Sequence, residues 1–131
     1  MLNTIKKLLS KQEDVKASTA TSSAKTFGLM YETLPVGILE LKGGKWRFYY
    51  STVFKHQKKV APLVDFPNVE KTYESEDLWP FFISRIPGTS RPAIKEILKK
   101  EQINEKDLAA LLTRFGRKTI ANPFLLTPQS G

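Results

Sequence analysis

Apolar and polar residues alternate through the middle of the chain with the two-residue period of a β-strand that is buried on one face. The alternation predicts strands at 27–32, 34–42 and 45–51. In the third of these strands, Trp46, Phe48 and Tyr50 share one face. Arg47 and Tyr49 share the other face, so this strand is expected to turn an aromatic side toward a core.

Gly43-Gly44 separates the second and third predicted strands. A two-residue connection that tolerates positive φ is typical of a tight turn, so the sequence predicts a β-hairpin over residues 34–51. Residues 60–66 also have the composition of a short strand, but Pro62 lacks the N–H that pairing within a sheet requires. This segment is therefore expected at a sheet edge or in an irregular conformation.

The last third of the chain changes to helical spacing, which predicts helices at about 91–100 and 105–115. Ser90 and Pro92 open the first helix, since proline is tolerated in a first turn. Asn104, followed three residues later by Asp107, resembles a capping box at the start of the second. Gly116 is a natural stop for that helix.

The amino terminus has a different pattern. Leu2, Ile5, Leu8 and Leu9 recur at helical spacing between lysines, which predicts a short amphipathic helix over 1–16. Serines and threonines then dominate a stretch that is typical of a flexible linker. The predicted organisation is an amino-terminal segment and linker at 1–25 and a folded domain at 26–131.

Together these elements predict an α+β fold. Its expected architecture is a small antiparallel, partly barrel-like sheet that contains the hairpin at 34–51 and packs against the two carboxyl-terminal helices. A closing strand is expected at 120–126, although Pro123 interrupts it.

The composition narrows the class of protein. The 131 residues are 40% hydrophobic, include no cysteine and carry a formal net charge of +8. A positive field favours anionic partners, either nucleic acid or an acidic protein face. No stretch is long and apolar enough to predict a membrane span, and the lysines near the amino terminus are unlike a signal peptide. We therefore expect a cytoplasmic protein that does not contact a membrane.

The residues needed for catalysis are sparse. His56 is the only histidine, and Lys55, Lys58 and Lys59 around it disfavour a proton or a metal cation. The acidic group Glu74, Glu76 and Asp77 is more typical of a loop before a helix than of a cation site. No nucleotide-binding glycine motif is present. The chain is thus expected not to be an enzyme, to hold no metal or cofactor, and to act by binding.

The densest apolar stretch is Asp77-Leu78-Trp79-Pro80-Phe81-Phe82-Ile83. Phe81 and Phe82 are expected mainly in the core. Pro80 disfavours helical geometry at Trp79, which places that tryptophan at the start of an element. Tryptophans at such positions serve either as core residues or as interface anchors, and the sequence leaves both open.

The order of these features resembles the amino-terminal domain of HipA-type kinases. The residues that carry the resemblance are Val36-Gly37-Ile38-Leu39, Phe48, Tyr50, Pro62-Leu63, Pro67, Phe81-Phe82, Ile86-Pro87 and 108–116. The family's Leu-Pro-Glu-Gly becomes Ile86-Pro87-Gly88-Thr89, so its acidic residue is missing. The phosphate-binding loop and the catalytic and metal-binding aspartates of the kinase body have no counterpart in the sequence.

A free-standing domain of this kind is similar to the HipS-type antitoxins of bacterial three-gene HipBST systems. The resemblance implies an antitoxin that binds and neutralises a HipT-like serine/threonine kinase toxin, in trans, as the domain the kinase lacks. It also implies a HipB-like helix-turn-helix partner, with DNA reached only indirectly through the complex. The residues expected to bind the kinase are Trp79, Asp77, Leu78, Pro80 and Arg85.

Two alternatives remain open from the sequence. One is a nucleic-acid-binding or transcription-regulatory module, whose basic contacts would be Lys55, Lys58, Lys59, Arg114, Arg117 and Lys118. No groove-reading helix is evident to support it. The other is an interaction domain without a toxin, in which residues 1–16 form the partner helix.

Overall fold

The computed structural model describes residues 25–129. They form an α+β fold in which one antiparallel sheet is covered on one face by helices and loops, so the predicted fold class is confirmed. The strands are β1 (Thr26–Tyr31), β2 (Leu34–Lys42), β3 (Lys45–Tyr50), β4 (Tyr73–Ser75) and β5 (Phe124–Gln129). The helices are α1 (Thr52–Lys55), α2 (Pro80–Ile83), α3 (Pro92–Glu101) and α4 (Leu108–Phe115).

The five strands are arranged in the order β4-β3-β2-β1-β5, and every neighbouring pair is antiparallel. The sheet is open and does not close into a barrel. The last strand lies beside the first, so Thr26 is paired with Gln129. The chain therefore enters β1 and leaves β5 at the same end of the sheet.

The predicted hairpin over 34–51 is confirmed as β2 and β3. Gly43 and Gly44 have φ angles of +59° and +79°, the left-handed conformation that a two-residue turn of this hand requires. The register pairs Leu39 with Phe48 and Leu41 with Trp46, which places the aromatic side of β3 beside the apolar side of β2. Alternation along the two strands thus gives the sheet one continuous apolar face.

That inner face carries most of the core. The most deeply buried strand residues of this face are Phe27, Leu29, Leu39, Trp46, Phe48, Tyr50 and Leu126. Phe82 of α2 and Ala109 and Leu112 of α4 pack against them. Phe48 and Phe66 stack with 4.4 Å between ring centroids. The core is therefore aromatic at its centre.

Residues 60–66 are irregular, one of the two conformations expected for them. The hydroxyl of Tyr50 fixes this segment, because it accepts a hydrogen bond from the Leu63 amide at 2.8 Å and donates one to the Phe66 carbonyl at 2.6 Å. Leu63 and Phe66 are thereby held in the core without strand pairing. A side chain from β3 supplies the polar partners that a sheet would otherwise supply.

Three short elements escaped the sequence pattern: α1, β4 and α2 are only three or four residues long. The sequence also placed a closing strand at 120–126, whereas β5 begins at Phe124, directly after Pro123. The turn before it is held by Asn122, whose Oδ1 accepts a hydrogen bond from the Phe124 amide at 3.1 Å. The expectation that Glu74 lies in a loop was also wrong, since it belongs to β4.

Both predicted helices are present as α3 and α4, at nearly the predicted positions. The predicted capping box is wrong in detail. Asp107 itself caps α4 by accepting a hydrogen bond from the Ala110 amide at 3.0 Å. Asn104 instead accepts one from the Lys106 amide within the preceding turn. Gly116 ends α4 with a φ of −86°, and a Cβ there would lie 2.8 Å from the Leu112 carbonyl oxygen.

The helix predicted at 1–16 and all of the predicted linker except Lys25 lie outside the described residues. The division of the chain at residue 25 therefore stays a prediction. Within residues 25–129, no helix is both long enough and apolar enough to cross a membrane.

Candidate protein-binding site

Trp79 stands at the junction between the loop after β4 and helix α2. It is the N-cap residue, with extended backbone angles of φ −67° and ψ 151°. Pro80 at the first helical position explains this geometry, because proline excludes the helical region for the residue before it. The Trp79 carbonyl accepts hydrogen bonds from the Phe82 and Ile83 amides at 2.9 and 3.0 Å. The backbone of Trp79 is therefore fixed.

The Trp79 side chain is half-buried. Its ring meets the fully buried Phe66 edge to face, with 4.9 Å between the centroids and 81° between the planes. One part of the indole thus packs on the core, and the remainder is accessible. Both roles that the sequence left open are compatible with this placement.

The other four expected contact residues fall into two groups. Asp77 and Pro80 are exposed beside Trp79. Leu78 and Arg85 are only 3% and 4% exposed. Asp77, Trp79 and Pro80 are therefore accessible to a partner, whereas the side chains of Leu78 and Arg85 are not.

Arg85 makes a dense set of hydrogen bonds. Its guanidinium donates to the carbonyl oxygens of Gly116, Arg117 and Phe124 at 3.0, 3.2 and 2.8 Å, and to Oδ1 of Asn122 at 3.1 Å. No carboxylate among residues 25–129 pairs with it, and burial lowers its pKa to about 10. The side chain joins the end of α2 to the turn before β5.

An apolar groove of about 470 Å³ lies beside the start of α2, which directly follows Trp79 in the chain. Its lining residues are Ala61, Pro62, Leu63, Val64, Asp65, Pro80, Phe81 and Phe124. Val64 is 94% exposed on its rim. Asp65 connects two of the lining segments, because its Oδ2 accepts a hydrogen bond from the Phe81 amide at 3.2 Å. We refer to this surface as the Val64 groove.

The sequence did not identify the Val64 groove, since its walls come from three segments that are far apart in the chain. The rings of Phe81 and Phe124 meet at 5.8 Å, although 43 positions separate them. Pro62-Leu63 and Phe81 were noted only as separate parts of a motif. Nothing in the local pattern indicates that they share a wall.

The basic residues of the nucleic-acid alternative are partly engaged with carboxylates. Arg114 forms a two-pronged ion pair with Glu101, with Nε 2.8 Å from Oε1. Lys55 lies 3.7 Å from Glu70. Lys58, Lys59, Arg117 and Lys118 are exposed.

His56 is exposed at the end of α1, where its Nδ1 lies 2.8 Å from the Thr52 carbonyl oxygen. Across the described part of the chain, no group of three or more His, Cys, Asp or Glu residues is arranged to hold a metal ion. Near the start of α2, the half-buried Trp79 and the exposed Pro80 adjoin the apolar Val64 groove in the chain.

Comparison with known proteins gives a consistent result. The family model described as "HipA N-terminal domain" matches residues 28–121. A solved structure titled "N-terminal domain of HipA toxin" has a TM-score of 0.54 and 16% sequence identity, over 84% of this chain and 97% of that chain, and so shares the fold. A search of curated proteins found no match. Because the family match spans well over half of the sequence, the chain belongs to the HipA N-terminal domain family.

Proposed function

We propose that this chain is an antitoxin that binds a HipT-like serine/threonine kinase and supplies, in trans, the amino-terminal domain that such a kinase lacks. Membership of the HipA N-terminal domain family supports a role beside a kinase body. A binding protein without catalytic residues is compatible with the described side chains. On this proposal, any catalytic group belongs to the partner.

The observation that carries the proposal is the half-buried indole of Trp79, which directly precedes Pro80 of the Val64 groove. A large aromatic side chain with a fixed backbone loses little conformational entropy on binding and buries much apolar area. Pro80 is rigid and exposed next to it, and Val64 extends the apolar surface. Such a patch is suited to contact with an apolar surface of a folded partner.

Asp77, Trp79 and Pro80 are proposed to touch the kinase directly. Leu78 and Arg85 are proposed to act through them, because their buried side chains hold the ends of the 77–85 segment in place. This division changes what substitution should do. Removing a contact residue should weaken binding, whereas removing a supporting residue should lower stability first.

A HipB-like DNA-binding protein is the second proposed partner, and DNA association would then occur through the complex. Direct nucleic-acid binding has weaker support. Two of its six basic candidates, Lys55 and Arg114, lie within ion-pair distance of carboxylates. The neighbouring carboxylates offset the positive charge of these two side chains, which therefore attract phosphates less strongly.

The test is binding of the purified chain to a HipA-like kinase encoded beside it, measured by calorimetry and by inhibition of kinase autophosphorylation. We expect Trp79→Ala to weaken binding by about 30-fold or more, as for a central interface anchor. Val64→Asp should also weaken it, since a charge would be placed in the apolar groove. Val53→Ala is the matched control, because Val53 is exposed and does not line the groove.

Circular dichroism must show that each variant is folded. If folded Trp79→Ala binds and inhibits the kinase as well as the parent chain, the proposed contact is wrong. A gel shift with the chain alone separates the alternatives. Salt-sensitive binding of DNA without any partner would favour the nucleic-acid function over the antitoxin.

A further inference from the structure

The face of the sheet opposite the core carries a second apolar cluster. It comprises Met30 of β1, Ile38 of β2, Tyr49 of β3 and Leu125 of β5, which we call the outer sheet face. Met30 is paired with Leu125, and Ile38 with Tyr49. Gly28 lies between these pairs, and the side chain of Gln129 lies over it. The four apolar residues stand on four adjacent strands.

These four residues do not take part in the core. None of them belongs to the buried cluster or to the partly buried residues that pack on it. Phe54 of α1, Phe82 of α2, and Ala109 and Leu112 of α4 belong to that cluster, so these three helices pack on the inner face. All four side chains are nevertheless only partly accessible, and burial is the largest cause that raises the pKa of Tyr49.

We infer that residues 1–16 dock on the outer sheet face through Leu2, Ile5, Leu8 and Leu9. This inference does not depend on the proposed kinase partner. The apolar stripe of the segment matches an apolar surface that no helix within residues 25–129 covers. A helix on this face would complete a three-layer arrangement, in which both faces of the sheet are protected from water.

The position of the attachment point supports this occupant. The segment joins the domain at Thr26, whose position in β1 places its side chain on the same face as Gly28 and Met30. Nine residues, 17–25, connect it, and an extended chain of that length reaches about 31 Å. A 16-residue helix is about 24 Å long, and the distance from β5 to β3 is about 14 Å. The segment is therefore long enough to cross the cluster.

Cross-linking of the full chain tests the inference directly. The sequence contains no cysteine, so introduced pairs are unambiguous. Two double variants are compared. Leu9→Cys with Ile38→Cys tests whether the segment lies on the outer sheet face. Leu9→Cys with Val64→Cys tests whether it lies in the Val64 groove. With a short bismaleimide, we expect the first pair to give an intramolecular product by mass spectrometry and the second to give little.

Faster cross-linking of the Val64 pair would overturn the inference, because the segment would then cover the groove instead. A product of the Ile38 pair that is only intermolecular would overturn it too, since a second copy would cover the face. Failure of both pairs to react would show that the segment does not dock.

A stability measurement provides an independent check. We expect Leu8→Ser with Leu9→Ser to lower the Tm of the full chain by about 5 °C, as expected for the loss of roughly 1 kcal/mol in a domain of this size. Lys11→Ser, on a polar position of the same segment, should leave the Tm unchanged. Equal Tm values for the serine double variant and the parent chain would contradict docking.

Discussion

Arg85 donates a hydrogen bond of 2.8 Å from Nη2 to the carbonyl oxygen of Phe124, the first residue of β5. The same guanidinium donates to the Gly116 and Arg117 carbonyls at the end of α4. Its plane also lies over the Phe81 ring, 5.5 Å from the centroid. One buried side chain thus donates to three backbone carbonyls around the turn between α4 and β5, and the Arg117 carbonyl also accepts a hydrogen bond from the Leu126 amide at 3.0 Å.

We expect Arg85→Met to lower the free energy of unfolding by about 3 kcal/mol, since several buried acceptors would lose a charged donor together. Urea denaturation measures the change. Arg91→Met is the control, because Arg91 is exposed before α3 and should change stability by about 0.5 kcal/mol or less. A similar small effect at both positions would mean that water replaces the Arg85 hydrogen bonds.

Tyr50→Phe removes the hydroxyl that bridges β3 and the 63–66 segment. The Leu63 amide and the Phe66 carbonyl would both lose a buried partner, so we expect a loss of about 2 kcal/mol. Tyr49→Phe, on the outer sheet face, is the matched change. If the two variants have equal denaturation midpoints, the bridge contributes nothing to stability.

The same hydroxyl makes stability depend on alkaline pH. Burial raises the pKa of Tyr50 from its ordinary value of 10.0 to about 12. Between these values the folded state binds the proton more tightly than the unfolded state, so stability falls as pH rises from 10 to 12. The stabilisation that follows from the raised pKa of Tyr50 is fully present below pH 10. Denaturation at several pH values should show a shallower decline for Tyr50→Phe than for the parent chain.

Two glycines should respond to substitution in opposite ways. A Cβ on Gly37 would lie 2.6 Å from the Tyr49 carbonyl oxygen and 2.7 Å from the Phe48 ring, so Gly37→Ala should destabilise the sheet by about 2 kcal/mol or more. A Cβ on Gly88 would meet only Arg91, at 3.5 Å. Gly88→Ala should therefore be neutral or slightly stabilising. Thermal denaturation of the two variants decides this.

Leu78 and Trp79 are neighbours with different expected effects. Leu78→Ala should cost about 3 kcal/mol of unfolding free energy, because it leaves a cavity under the 77–85 segment. Trp79→Ala should cost about 1 to 2 kcal/mol, since only part of the indole packs on Phe66. Chemical denaturation gives both values. If Trp79→Ala is the more destabilising of the two, Trp79 is primarily a core residue.

The sequence predicted the strands and helices that are determined by residues close together in the chain. Alternation located β2 and β3, and the positive φ angles of Gly43 and Gly44 confirm the turn between them. Helical spacing located α3 and α4. In contrast, β4 is three residues long and exists because it is paired with β3, which nothing in its own composition indicates.

The candidate site was only partly predictable for the same reason. Proline determines the backbone of Trp79 from one position away, so its place at the start of an element was predicted correctly. The burial of Arg85 depends on acceptors that follow it by more than 30 positions. A charged residue is usually exposed, and no local pattern indicates that a distant turn will enclose it.

The pairing of Thr26 with Gln129 has a consequence for synthesis on the ribosome. The hairpins that join β1, β2 and β3 close within a few residues, so these strands can pair early. The outer edge of β1 acquires β5 only after residues 124–129 have been translated, nearly 100 positions later. Until then the nascent sheet carries an edge strand that can pair with other chains, and the final residues of the domain complete its protection against aggregation.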